Sequence, residues 1–389
     1  MNNGTESKYI KLILFSLIVF SLSLHLPALF RDHIENDEVI YQTLAEKLSR
    51  NPLDYTLQGT YIVNQLPETH NSPLFFFHPP LFCLLLAFVK ILFGIRMEIL
   101  VPILSAALTV WLVFLIAKRL YNEKVALLAA AINALCPVSL HASTKIWMDS
   151  TLALFVTASV YIALIASKKE RIIYYVFLGI VLAAAIMTKL TGFIIFPLIL
   201  FILWYKNATK KKILYALFAA VLTIILISPW FYLVHSVFGT ISFWWLKKNP
   251  QLLEMFPFAK MITERPVHFY ISNLMLVAPI YMFSLAAMIE ALKRRKGATE
   301  LAWSLLFIGV FTYSGYVNNF GYITRYILPC LPALAILGAE FMVRKNKIIL
   351  YGIAIFFLGY GFFVGILNSY IFQVADIFPL EYFFKAMSY

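Results

Sequence analysis

Eleven long apolar stretches, parted by short turns rich in lysine and arginine, leave this sequence few ways to fold. They lie at about residues 10–30, 98–117, 124–141, 150–167, 172–188, 192–205, 213–233, 269–291, 300–317, 326–342 and 348–370. Some 20 apolar residues in a helix rising ~1.5 Å per residue match the ~30 Å hydrocarbon core of a bilayer. In lipid the backbone has to satisfy its own polar groups, and a helix does so within one segment. Composition agrees: 62% of the residues are hydrophobic and 13% charged, whereas a soluble chain of 389 residues would divide into domains with polar surfaces. The expected fold is an all-α polytopic membrane protein with about eleven transmembrane helices.

The charges orient it. The segment from Pro79 to Phe93 is apolar but only about 15 residues long, which suits an interfacial or re-entrant helix better than a span. If it does not cross, the cytoplasmic turns hold 19 of the 32 basic residues and 6 of the 19 acidic ones, so the whole formal charge of +13 falls on that side. Were it to cross, every later basic cluster would lie outside, against the positive-inside rule. The N-terminus is therefore expected in the cytoplasm. The first apolar run follows Lys8 and Lys11 as a signal peptide would, but it reaches Leu26-Pro27 with no small-x-small cleavage site and reads as a membrane helix. The basic residues form no continuous face, which argues against nucleic acid as a partner. Cys83, Cys136 and Cys330 sit in apolar segments without metal-ligand spacing and read as packing residues. One membrane-embedded domain is expected over residues 1–370. It has a first outer loop at 31–97, a second at 234–268 in which Trp244 and Trp245 suit an interface, and a short outer tail at 371–389.

Residues able to do chemistry gather at one boundary. Asp37 and Glu38 precede a stretch in which Ile40, Leu44 and Leu48 share one helical face, so the pair would open an amphipathic helix lying on the membrane. Capping of that helix by the two carboxylates is the plainer alternative. His78 precedes Pro79-Pro80-Leu81, where proline starts a helix, and Asp149 opens a later span. Lys189, in Thr188-Lys189-Leu190-Thr191-Gly192, and Arg325, followed by Tyr326, are cations at outer turns, against the charge bias of the other loops. They either face a polar cavity or snorkel to the headgroups. The middles of the spans are nearly free of charge, whereas a proton- or ion-coupled transporter more often buries an ionisable group near the midplane. The pattern favours a site at the interface that handles a lipid-borne headgroup.

These motifs, taken in order, resemble the polyprenyl-phosphate-sugar-dependent glycosyltransferases of the GT-C fold. The sequence is most similar to the protein O-mannosyltransferases and the lipid A aminoarabinose transferases. In that family an Asp-Glu pair follows the first span, as Asp37-Glu38 does, and a Lys- or His-Pro-Pro-Leu motif follows, as His78-Pro79-Pro80-Leu81 does. An acidic residue opens a later span (Asp149), a Thr-Lys-x-x-Gly turn comes next (Thr188 to Gly192), and an Arg-Tyr-x-x-Pro-x-x-Pro motif stands near the end (Arg325 to Pro332). Some relatives carry an acidic residue before Lys-Pro-Pro that helps bind a divalent metal. Phe77 stands there in this chain, so no residue is assigned to a metal, and a divalent ion stays an open alternative. Some relatives also have a large extracytoplasmic C-terminal domain, which the tail at 371–389 does not match, leaving acceptor recognition unassigned.

The resemblance implies transfer of a sugar from a polyprenyl-phosphate donor to a hydroxyl of a protein, lipid or glycan, on the outer face of the membrane and with inversion. A carboxylate would serve as general base, Asp37 first with Glu38 orienting or replacing it. His78, Lys189, Arg325 and Tyr326 would bind the lipid phosphate, and Asp149 would bind sugar hydroxyls or hold a neighbouring cation. A prokaryotic plasma membrane is the simplest location. The alternative is a transporter or flippase that moves a lipid-linked sugar without transfer chemistry.

Overall fold

The computed structural model describes residues 3–31, 36–65, 71–94, 96–204, 209–239, 265–294, 296–318, 322–373 and 376–379. Every regular element among them is helical. The α-helices begin with α1 (Asn3–His25), α2 (Asn36–Arg50), α3 (Leu81–Phe93), α4 (Leu100–Leu120), α5 (Glu123–Ala134), α6 (Pro137–Ser143), α7 (Asp149–Ala166), α8 (Ile172–Thr188), α9 (Phe196–Trp204) and α10 (Lys210–Phe238). They continue with α11 (Phe269–Val277), α12 (Met282–Arg294), α13 (Ala298–Asn318), α14 (Leu331–Lys345) and α15 (Ile348–Ile366).

Each of the eleven apolar runs coincides with helix. Six helical stretches among the described residues are long and apolar enough to cross a bilayer, and two bent pairs, α5 with α6 and α11 with α12, raise the number to eight. The runs at 172–188 and 192–205 form shorter apolar helices, and the run at 300–317 lies within α13. The outward faces suit lipid. Leu214, Leu217, Val221, Ile224 and Ile225 of α10 are exposed, as are Ile349, Ile355 and Phe356 of α15. Such stripes would be costly in water and are neutral against acyl chains. The protein is an integral membrane protein.

The chain folds as two compact units. One comprises Met1–His25, Ala106–Ala142 and Phe243–Tyr389; the other comprises Leu26–Ser105 and Ser143–Ser242. In the first, α14 is the central helix: it is buried along most of its length and packs on α5, α12 and α13. Gly338 lets α14 approach closely, because a Cβ there would stand 2.7 Å from the Ser284 hydroxyl. In the second unit α8 packs on α7 and α10, and α2 packs on α3.

The first outer loop is built differently from its expected form. Its stripe of Ile40, Leu44 and Leu48 is buried, with Leu44 wholly inaccessible. The cover is the face of α3 bearing Phe82, Cys83 and Leu86. Protein, not lipid, therefore covers this stripe, because a second apolar helix follows close enough in sequence to pack on it. At 13 residues α3 spans about 20 Å, too short to cross a ~30 Å core. Lys90 of α3 joins the two helices through Glu46 at 2.7 Å. Residues 240–264 of the second expected outer loop, with Trp244 and Trp245, and residues 374–375 and 380–389 of the expected tail lie outside the described residues.

Candidate active site

In the second unit the site begins at the N-terminus of α2. Asp37 and Glu38 fill its first turn and Lys47 and Arg50 its last, the distribution a helix dipole favours. The two carboxylates differ sharply. Glu38 is wholly inaccessible: its Oε1 accepts the backbone N–H of Ile146 at 2.7 Å and pairs with the guanidinium of Arg31. Burial pushes the Glu38 carboxyl above the usual range, opposed by the charge of Arg31 and the hydrogen bond from Ile146. Asp37 is partly exposed.

His78 stands on the loop that leads into α3. Its ring lies 6.2 Å from that of Tyr41, which also meets Phe82 edge-on at 5.5 Å. Tyr41 is one turn beyond Asp37, so the aromatic contact couples the His-Pro-Pro loop to the start of α2. Tyr55 fixes the loop from below. Its hydroxyl donates to the carbonyl of His78 at 3.1 Å, and its ring packs edge-on against Phe75 and Trp230.

Ile146 lies in the turn that leads to α7. Three residues later Asp149 opens that helix and accepts from the Lys189 ammonium at 2.7 Å. Lys189 follows the last residue of α8 in an extended conformation, and Gly192 closes the turn by donating its N–H to the Lys189 carbonyl at 2.8 Å. A Cβ on Gly192 would stand 2.6 Å from the Ala185 carbonyl, so only glycine fits. Lys145, at the head of the same turn, is fully buried with its ammonium 4.6 Å from the centre of the Trp147 ring.

In the first unit Arg325 and Tyr326 lie on a 3₁₀ turn, Thr324–Cys330. The Trp303 indole N–H donates to the Pro329 carbonyl at 2.9 Å and anchors the end of the turn. Tyr326 packs on Phe311 with ring centres 5.8 Å apart.

A family of dolichyl-phosphate-mannose-protein mannosyltransferases matches residues 77–233 of this sequence. Undecaprenyl phosphate-alpha-4-amino-4-deoxy-L-arabinose arabinosyl transferase 1 of Proteus mirabilis is 28% identical over 253 residues, covering 62% of this chain and 44% of its own length. The corresponding transferase of Pseudomonas aeruginosa is 25% identical over 272 residues, covering 66% and 47%. The crystal structure of ArnT from Cupriavidus metallidurans bound to undecaprenyl phosphate superposes with a TM-score of 0.66 at 16% identity, over 91% of this chain and 63% of that one. The chain has the GT-C fold. The oligosaccharyltransferase AglB from Archaeoglobus fulgidus, in complex with an inhibitory peptide and a dolichol-phosphate, shares that fold with a TM-score of 0.60 at 11% identity, over 96% and 57%. The chain spans less than half the length of the curated relatives it matches.

Within this GT-C unit the structure brings Asp149 and Lys189 together and ties Glu38 to the turn that precedes them. Asp149 holds the ammonium of Lys189. Sequence reasoning missed Arg31, Tyr55 and Lys145. Arg31 lies in the same charged run as the acid pair, which was the signal available for it. Lys145 had one too, as a cation four residues before Asp149, while Tyr55 had none. Among the described residues no group of three His, Cys, Asp or Glu side chains is arranged to hold a metal ion.

Proposed function

We propose that this chain transfers a sugar from a polyprenyl-phosphate donor to a hydroxyl of a protein, lipid or glycan acceptor, on the outer face of the membrane and with inversion at the anomeric carbon. The observation that carries the reading lies inside one unit. Buried Glu38 ties the start of α2, and with it Asp37, to the 145–149 turn, whose last residue holds Lys189. A partly exposed carboxylate and an ordered cation are what the reaction needs. The relatives named for lipid-phosphate sugars support the class of donor.

In this reading Asp37 accepts the proton of the acceptor hydroxyl as its oxygen attacks the anomeric carbon. The bond from that carbon to the phosphate oxygen breaks, and its electron pair leaves with the lipid phosphate. Lys189, kept in place by Asp149, stabilises the phosphate as it gains charge. Arg325, Tyr326 and His78 are proposed as further ligands of the donor phosphate, His78 acting best when protonated. Attack opposite to the departing phosphate inverts the centre. The same reading takes residues 1–370 as one functional domain with eleven crossings, the N-terminus in the cytoplasm and the site facing outward from a prokaryotic plasma membrane, because that arrangement leaves the basic turns inside.

The test is turnover by purified protein in nanodiscs with a panel of radiolabelled polyprenyl-phosphate sugars and acceptor extracts. Acceptor-dependent loss of label from the lipid is expected in the wild type and not in Asp37→Asn. Tight donor binding with no transfer to any acceptor would replace this reading with that of a flippase. Near-normal turnover by Asp37→Asn would remove the base.

A further inference from the structure

The segment 376–379, expected to be part of an outer tail, is built into the first unit. Asp376 is 2% exposed. Its Oδ2 pairs with Arg265 Nη1 at 2.6 Å, its Oδ1 accepts the N–H of Thr324 at 3.2 Å and that of Ile377 at 2.9 Å, and the Thr324 hydroxyl lies 3.4 Å from Oδ2. Arg265 also donates to the Tyr322 carbonyl, with its guanidinium 4.3 Å from the centre of the Phe269 ring. Asn273 completes the frame: its Nδ2 donates to the Thr324 hydroxyl at 2.8 Å and to the Ile377 carbonyl at 3.3 Å. Farther along, Asn368 accepts the Phe378 N–H at 2.8 Å and donates to its carbonyl at 3.0 Å.

Three of these bonds meet at Thr324, the first residue of the 3₁₀ turn and the neighbour of Arg325. Backbone N–H groups at a helical N-terminus lack partners within the helix and are well served by a carboxylate. A buried carboxylate in turn needs a paired cation and several donors, which Arg265, Thr324 and Ile377 supply. The carboxylate thus fixes the beginning of the turn as Trp303 fixes its end.

We propose that Asp376, held by Arg265 and acting through Thr324, is a positioning residue that sets Arg325 and Tyr326 for the phosphate of a polyprenyl-phosphate lipid. The inference rests on the donor-binding part given to Arg325 above. The probe is undecaprenyl phosphate, titrated against the purified full chain in detergent, with thermal stabilisation giving the apparent Kd. Asp376→Ala is expected to weaken binding about tenfold or more, and Asp376→Asn, which keeps an oxygen for Thr324, by less. Asp376→Ala is expected to add little to Arg325→Ala, because both act on one contact. If Asp376→Ala or Asp376→Asn lowers the ligand-free unfolding temperature but binds with wild-type Kd, the network is structural and the inference fails. Independent, multiplying effects of Asp376→Ala and Arg325→Ala would also overturn it. Should Asp376→Ala not fold, Asp376→Asn and Arg265→Lys carry the same comparison. A wild type that does not respond to the lipid phosphate would overturn both this inference and the donor reading. A wild type and an Asp376→Ala variant that respond equally would overturn the inference alone.

Discussion

Glu38 in one unit and Asp376 in the other solve the same problem with the same parts. Each is a buried carboxylate paired with an arginine, and each accepts the backbone N–H of a residue just ahead of a candidate functional group. Ile146 precedes Asp149 by three positions, and Thr324 precedes Arg325 by one. They differ in what surrounds the carboxylate. Asp376 also accepts from Ile377 and Thr324, and at Glu38 burial pushes the carboxyl upward. The bonds of Glu38 hold the start of α2 to the turn that carries Ile146, beside the candidate base Asp37.

Changes to the acid pair give the most direct way to break this comparison. Asp37→Asn should lower transfer by about 10²–10⁴, the usual range for a general base, while Glu38→Gln keeps measurable transfer at a lower unfolding temperature. Equal kinetic losses, measured as kcat with saturating donor, would mean that Glu38 shares the proton. Next in size is the Asp149–Lys189 pair. Lys189→Ala should cut donor turnover by about 10²-fold. Asp149→Ala should destabilise by about 1–3 kcal/mol, because the nearly buried ammonium loses one charged partner, and the double variant should lose less than the sum. Additive losses in thermal unfolding would show that the two side chains act separately.

A smaller effect is one of pH. The Glu38 carboxyl holds its proton more tightly in the folded state than in the unfolded state. Between the unfolded value, about 4.3, and the raised folded value, the folded state therefore binds more protons, and stability falls as pH rises. Glu38→Gln removes this slope. The unfolding temperature of the wild type minus that of Glu38→Gln should accordingly decline through that window as pH rises and then level off. A difference that rises with pH would place the folded value below the unfolded one and reverse the assignment of burial as the dominant cause.

The helices were legible because hydropathy reports lipid exposure directly, and each long apolar run needs an internally bonded backbone. The acid pair of α2 was legible for a similar local reason: the apolar residues at positions 40, 44 and 48 fix the helix and put both carboxylates in its first turn. The fate of that apolar face was not, since periodicity shows that a stripe needs cover but not whether lipid or α3 supplies it. Pairings between distant residues were beyond reach. Asp149 and Lys189 lie 40 positions apart, and each had a plausible part by itself. Asp376 and Arg265 lie 111 apart, and Asp376 sat in a stretch too mixed in polarity to suggest burial.

The 3₁₀ turn of Arg325 and Tyr326 is tied at its first residue by Asp376 and near its last by Trp303. Its backbone has therefore already lost its conformational freedom by the time folding is complete, at a typical cost of about 1–2 kcal/mol per residue. A ligand that meets these side chains has only their torsions left to order, at about 0.5–1.5 kcal/mol for each one immobilised. The entropy that would otherwise oppose binding here has been moved into the folding reaction, so loosening either tie should weaken binding even where every contact with the ligand is preserved.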